Sequence, residues 1–292
     1  MEKNFYFDNM FEGKTYNQWL KELNISYLGG AEHSAKCLKS KKHGCLNYIL
    51  YLAPSDLSGY HVCPNDKYCK DLCLNGSGQN KIQEIAQHSK NTDINISRIK
   101  KTRLFYENRE LFMFLLIHEI KMYKKRAEKK NLDFAVRLNG TSDLSVAIFR
   151  YKGMNLLDIF NDVQFYDYTK VPIRIKLLDR FKNYDLTLSY NGYNWDDCQN
   201  FLENGGKVAV VFDGKMPTYY RGYKVNNAND YDMRYLDEPK QICGLTFHKV
   251  GIQYKDGKYN GLGDSKFVVR ENDFLSEYSE ISYLRFPMNK AI

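Results

Sequence analysis

Apolar positions along this chain recur at two spacings, one that alternates and one that returns every three or four residues. LNYILYLAP (46–54) is a β-branched and aromatic run closed by Pro54, which has no N–H to give to a ladder, so it predicts a strand that stops there. Five more strands are predicted at FAVRL (134–138), VQFYDY (163–168), YDLTLSY (184–190), KVAVVF (207–212) and ICGLTFH (242–248). The stretch 107–130, ENRELFMFLLIHEIKMYKKRAEKK, has neither Gly nor Pro and predicts a long helix whose apolar middle packs deep. Residues 154–162, 173–181 and 194–203 carry apolar side chains at helical spacing, and 81–90 predicts a further short helix.

Strands and helices in this alternation predict an α/β protein with a parallel sheet, either a partial, six-stranded TIM-like barrel of βα repeats or an open doubly wound sheet. No Gly-rich linker divides the 292 residues. The expected organisation is an N-terminal extension (1–45), a βα core (46–250) and a C-terminal extension (251–292) that packs on the core. In both architectures functional groups collect at the carboxyl ends of the strands.

A hydrophobic fraction of 43% against 27% charged residues excludes a disordered chain and predicts a globular one. No apolar stretch reaches the roughly 18 residues of a membrane span, and the N-terminus lacks a secretory apolar core, so a cytoplasmic protein is expected. Thiols stay reduced there, and seven cysteines, three of them clustered, then favour metal binding over disulfides. The net charge of +8 permits contact with nucleic acid through the basic runs 97–103 and 121–130. The same lysines also suit a helix carboxyl end or a solvated face.

The densest chemical signal is HVCPNDKYCKDLCLNGSG, which places Cys63, Cys69 and Cys73 at C-x5-C-x3-C just after the first strand. Thiolates hold iron–sulfur clusters and zinc, and three of them are one short of the usual four. The fourth position is then open, or filled by a residue such as His43, Cys45 or His61. Three unrelated core thiols are the alternative. Polar residues fall at the other strand ends: Asn139, Thr141, Ser142 and Asp143, then Asp167, then Ser189. Alternation in FAVRLN sets Phe134, Val136 and Leu138 on one face and Ala135, Arg137 and Asn139 on the other, so Arg137 points inward and needs an anion such as Asp143, Asp167 or a ligand. A buried Asp167 suits acid–base work, Ser189 offers a hydroxyl, and His118 reads as a core histidine.

The ordered set YLAPSDLSG, CP with two further cysteines, CLNGSG, VRLNGTSDL, VQFYDYTK, DLTLS and VAVVF resembles the Gene product 88 family of phages and plasmids over about 45–250. That resemblance implies a mobile-element origin and a shared fold. More distantly the layout is similar to radical S-adenosylmethionine enzymes, which implies a [4Fe-4S] cluster on Cys63, Cys69 and Cys73 and a cofactor near the NGTSD segment. Those enzymes space their cysteines C-x3-C-x2-C, unlike this chain. A zinc clip in a nucleic-acid-associated protein without catalysis is the other reading.

Overall fold

A computed structural model describes residues 8–32, 34–87, 91–250, 254–255, 258–259 and 261–273. Its main sheet holds all six predicted strands: β1 (Cys45–Leu50), β2 (Asp133–Arg137), β3 (Gln164–Thr169), β4 (Tyr184–Ser189), β5 (Lys207–Asp213) and β7 (Ile242–Thr246). These six run parallel and lie side by side in chain order. A doubly wound sheet reverses its strand order at a switch point, and this succession has no such reversal. Beyond the expected six, β6 (Tyr223–Asn227) pairs with the outer edge of β7, β8 (Val268–Arg270) pairs with the end of β5, and Gly29–Gly30 pairs antiparallel with β1.

One face of the sheet is covered by helices. The long helix α5 (Arg109–Lys129) starts where the Asn108 side chain accepts from Leu111 N–H, and Leu111 to Ile117 are all buried, as its uninterrupted apolar middle requires. It packs with Leu46, Leu50, Val136, Leu138, Phe165 and Leu186, the outward-alternating residues of β1 to β4. Helix α6 (Trp195–Glu203) covers β4, β5 and β7 through Cys198, Phe201 and Leu202. The N-terminal helix α1 (Tyr16–Leu23) adds Tyr16, Trp19 and Leu20 to the larger core.

Of the segments expected as helices, 154–162 is only partly helical, whereas 173–181 is helical to Arg180 as a 3-10 segment that passes into one α turn. Residues 154–162 contain a short hairpin strand and then one turn, Leu156–Ile159, because Asn155 caps Leu157 N–H and Asn183 Nδ2 donates to the carbonyls of Leu157, Phe160 and Val163. Residues 173–181 lie in the 3-10 turns Pro172–Lys176 followed by Leu177–Arg180. The short helix predicted at 81–90 is α3 (Gly78–Gln87), and residues 88–90 lie outside the described ones. A further helix, α4 (Asp93–Glu107), occupies the basic run 97–103. Its Thr102 hydroxyl accepts from Ala53 N–H at 2.8 Å, which ties the end of the first strand segment, and so the entry to the cysteine loop, to the helical layer.

The buried Glu119 of α5 holds four donors. Tyr16 and Leu28 N–H reach its Oε1 at 2.8 and 2.7 Å, and Tyr48 and Gly29 N–H reach its Oε2 at 2.6 and 2.9 Å. Gly29 has to be glycine, since a Cβ there would meet the Tyr48 ring at 2.5 Å and the Ile49 carbonyl at 2.7 Å. This carboxylate therefore joins α1, the Gly29–Gly30 edge and β1 to the central helix. Glu119→Ala strands four buried donors and opens a cavity, and the expected loss in denaturant unfolding is about 3–5 kcal/mol, with Glu119→Gln costing less.

Candidate functional site

The loop after β2 is locked by its own polar groups. Asn139 donates from its N–H to Asp167 Oδ1 at 2.8 Å and from Nδ2 to Asp167 Oδ2 at 3.0 Å, while its Oδ1 accepts from Ser142 and from Leu144 N–H. Thr141 donates to the Leu52 carbonyl at 2.6 Å. Asp143 accepts from the Thr169 hydroxyl at 2.8 Å, from Lys170 N–H at 2.9 Å and from Arg174. The predicted residues Asn139, Thr141, Ser142, Asp143 and Asp167 thus come together, and they pin the end of β2 to β1 and β3.

The opposite face of the sheet from the main helices is polar. Arg137 points into it as alternation requires, but its partner is Asp232 at 2.7 Å, not Asp143 or Asp167. Asp143 is occupied by Arg174, and Asp167 by Asn139. Asp232 also takes Lys36 at 2.9 Å and the Tyr166 hydroxyl at 3.1 Å. Burial alone raises a carboxyl, yet the two cations win here and hold Asp232 well below the usual carboxylate range. Ser189 is 8% exposed at the end of β4, and by alternation it shares this face with Thr187.

The cysteine loop sits against the same strand ends. Asn65 Nδ2 donates to the Lys170 carbonyl at 2.7 Å, directly after β3. Cys63 Sγ accepts from Ser55 N–H at 3.4 Å, and Cys73 Sγ from Asn75 N–H at 3.5 Å. The Lys170 ammonium lies within electrostatic reach of Cys69, Asp143, Cys63 and Cys73 together. Burial pulls this ammonium down, but those four groups outweigh it and raise it. Desolvation pushes the Cys63 thiol up to about 12 and raises Cys73 as well. Among the described residues, however, no three Cys, His, Asp or Glu side chains stand in metal-ligating geometry, so the three thiols share one loop without converging on a common point.

His43 and Cys45 lie at the amino end of β1, a strand length from this loop, and contact Tyr231 and Tyr235 instead. His61 reaches Asp66 at 3.4 Å within the loop. His118, expected in the core, is only half-buried on α5, with its ring stacked on Tyr16 at a centroid separation of 4.4 Å. Much of the charge in the two basic runs is used internally. In 97–103, Arg98 bonds Asn75, Lys100 the Asn24 carbonyl and Arg103 the Ser58 carbonyl, while Lys101 lies 4.6 Å from the Tyr27 ring centroid. In 121–130, Lys124 pairs with Asp162, and Arg126 and Lys130 share Glu32.

The family model of Gene product 88 matches residues 24–269, which takes in the whole sheet and the cysteine loop. The chain belongs to the Gene product 88 family. No curated protein and no solved structure matches it. No helix among the described residues is long and apolar enough to cross a membrane.

Three residues that this Gene product 88 protein brings to the site gave no signal in sequence. Asp232 lies in NANDYDMRYLDEP, a run without periodicity, and Arg174 sits in a stretch that reads as an amphipathic helix. Lys170 follows β3 as one lysine among many.

Burial pushes the Asp167 carboxyl up to about 7, against Arg137 and the two Asn139 bonds, which pull it down. The folded chain then holds this proton more tightly than the unfolded one. The associated stability is complete below about pH 4 and is lost as pH rises through about 7. Asp167→Asn should flatten the fall in unfolding free energy over that window by on the order of a few kcal/mol, measured by denaturant melts at stepped pH.

Proposed function

We propose that this protein carries a [4Fe-4S] cluster on Cys63, Cys69 and Cys73 at the carboxyl ends of its parallel strands, in a partial-barrel layout like that of radical S-adenosylmethionine enzymes. The observation that carries the reading is the placement of the three-cysteine loop against the strand ends, where Asn65 donates to the Lys170 carbonyl at 2.7 Å; the thiols do not form a ligand set as they stand, so binding the cluster has to draw them together. The donor set fits such a group. Its sulfurs are soft donors, two of them accept backbone N–H bonds, and hydrogen bonds to sulfur are one of the means by which proteins tune these clusters.

When bound, the cluster supplies one-electron reduction, and three thiolates leave one iron position for a small molecule such as S-adenosylmethionine. The chain's own groups prepare the surroundings. Lys170 offsets the negative charge that three thiolates bring into a desolvated place. Asn139, Thr141, Ser142 and Asp143 hold the neighbouring wall rigid, since their polar atoms are bound to one another and to β1 and β3. Arg137 and Lys36 bring two cations against the single carboxylate of Asp232, which favours an anionic group beside them. Asp167, held near neutrality, is the group suited to exchange a proton, and Ser189 contributes a hydroxyl from β4.

The reading predicts a brown protein after purification without oxygen and reconstitution with iron and sulfide, with absorption near ~400 nm. Cys63→Ser, Cys69→Ser and Cys73→Ser should each lose most of the iron, while Cys198→Ser, in the core under α6, keeps it. A colourless wild-type protein with stoichiometric zinc would sink the cluster in favour of a structural clip.

A further inference from the structure

We propose that Tyr68, Tyr193 and the lysines around them form a binding strip for single-stranded nucleic acid at the carboxyl ends of the strands. The strip is assembled from three separate segments. Tyr68 comes from the cysteine loop, Tyr193 from the loop after β4, and Lys266 from the approach to β8. The two rings face each other with centroids 4.2 Å apart and planes 32° apart. Lys67 Nζ stands 5.2 Å from the Tyr68 centroid, and Lys266 Nζ 5.5 Å from that of Tyr193. Beside them Lys170 Nζ lies 5.3 Å from the Phe267 ring.

This convergence is set by backbone, not by flexible side chains alone. Asn191 Oδ1 accepts from the N–H groups of Tyr193 and Asn194, and Tyr190 donates to the Gly192 carbonyl at 3.2 Å. Gly192 has φ +96°, and a Cβ there would stand 2.7 Å from the Lys266 backbone, so only glycine lets the two segments touch. Tyr193 is nevertheless 55% exposed. Its ring is flanked by Tyr68 and by the Lys266 ammonium, so the solvent-facing part of the strip joins aromatic surface to positive charge.

The occupant follows from the chemistry. Every base has a π-face that stacks on tyrosine, and lysines at both ends of the pair suit the phosphates on either side of a base. An exposed ammonium over a ring is a weaker contact than a stacked base, so a base can move Lys67 or Lys266 aside and leave its charge for phosphate. Duplex DNA hides its base faces, and an acidic peptide uses the lysines without the rings. The first turn of α6, with Asp196 and Asp197, follows Tyr193 and bounds the strip in sequence. This site is distinct from the basic runs on α4 and α5, whose charge is largely used internally.

The test is fluorescence anisotropy of the full chain with a labelled oligothymidylate of about 15 nucleotides. Binding should tighten as salt is lowered, and should exceed that of the duplex and of polyglutamate. Tyr193→Ala should weaken it roughly tenfold or more, Tyr193→Trp should preserve it, and Lys266→Glu should lower the salt dependence. Lys129→Glu, at the far end of α5, should leave it unchanged. No binding at low salt, equal binding of polyglutamate, or the same loss in Lys129→Glu as in Tyr193→Ala overturns the proposal. Melting curves of each variant report folding, and iron content measured on the same samples separates this outcome from that of the cluster.

Discussion

A parallel sheet has to be covered on both faces, and in this protein one of the two coverings is held by charge. The outer face follows the usual solution, with α5 and α6 laid over Val, Leu and Phe side chains. The inner face carries Arg137, Tyr166 and Lys207, which cannot be buried without partners. The segment between β6 and β7 provides them: Asp232 receives Arg137, Lys36 and Tyr166, and the Arg234 carbonyl receives Lys207 at 2.6 Å. Removing one member of such a set typically costs about 3–5 kcal/mol, because the survivor is left charged in a poor solvent. The fold thus depends on a connection that has almost no regular structure of its own.

The same logic explains why the strand ends are rigid. Asn139 uses both faces of its amide, and Asp143 collects a hydroxyl, a backbone N–H and a guanidinium. Each bond is worth little net, on the order of 1 kcal/mol, but each atom left unpaired would cost more. Locking the loop after β2 in this way fixes the wall against which the cysteine loop rests, through the Asn65 bond to Lys170. Order therefore passes from the sheet to the loop. Cys63 then accepts the Ser55 N–H at its sulfur, and Cys73 accepts the Asn75 N–H as the cap of the 3-10 turn Leu74–Gly76.

The strands were legible because burial leaves a period in the sequence, and the inward turn of Arg137 follows from that period alone. Its partner did not follow. Asp232 is 95 residues away in a run with no period, and only the three-dimensional path of the chain brings it to β2. The C-x5-C-x3-C spacing was visible, yet the ammonium within electrostatic reach of it was not, since a lysine after a strand looks like any surface lysine. Helical spacing in 154–162 misled for a different reason. Apolar residues three and four apart also serve a single turn, and Asn155 and Asn183 decide where that turn begins and ends. Helix α4 was missed because its charged residues are drawn inward, to Asn75 and against Tyr27 and Tyr51, and so mask its buried face.

Burial raises the Cys63 and Cys73 thiols at the strand ends, and the Lys170 ammonium lies within electrostatic reach of both. Neutral thiols would need no cation, and a core built only for stability would replace the set with apolar groups at lower cost. An ammonium kept charged among them is favourable when the sulfurs carry negative charge, because the pair then offsets the burial of both. Thiolates in turn are stabilised most by a soft cation that shares their electrons. The loop also lies where a parallel sheet presents its variable ends, with Cys63 Sγ 3.9 Å from the Thr141 carbonyl and Asn65 bonded to the Lys170 carbonyl. Deprotonating Cys63 and Cys73 in this place needs positive charge at the sulfurs, and that is the requirement the proposed cluster would meet.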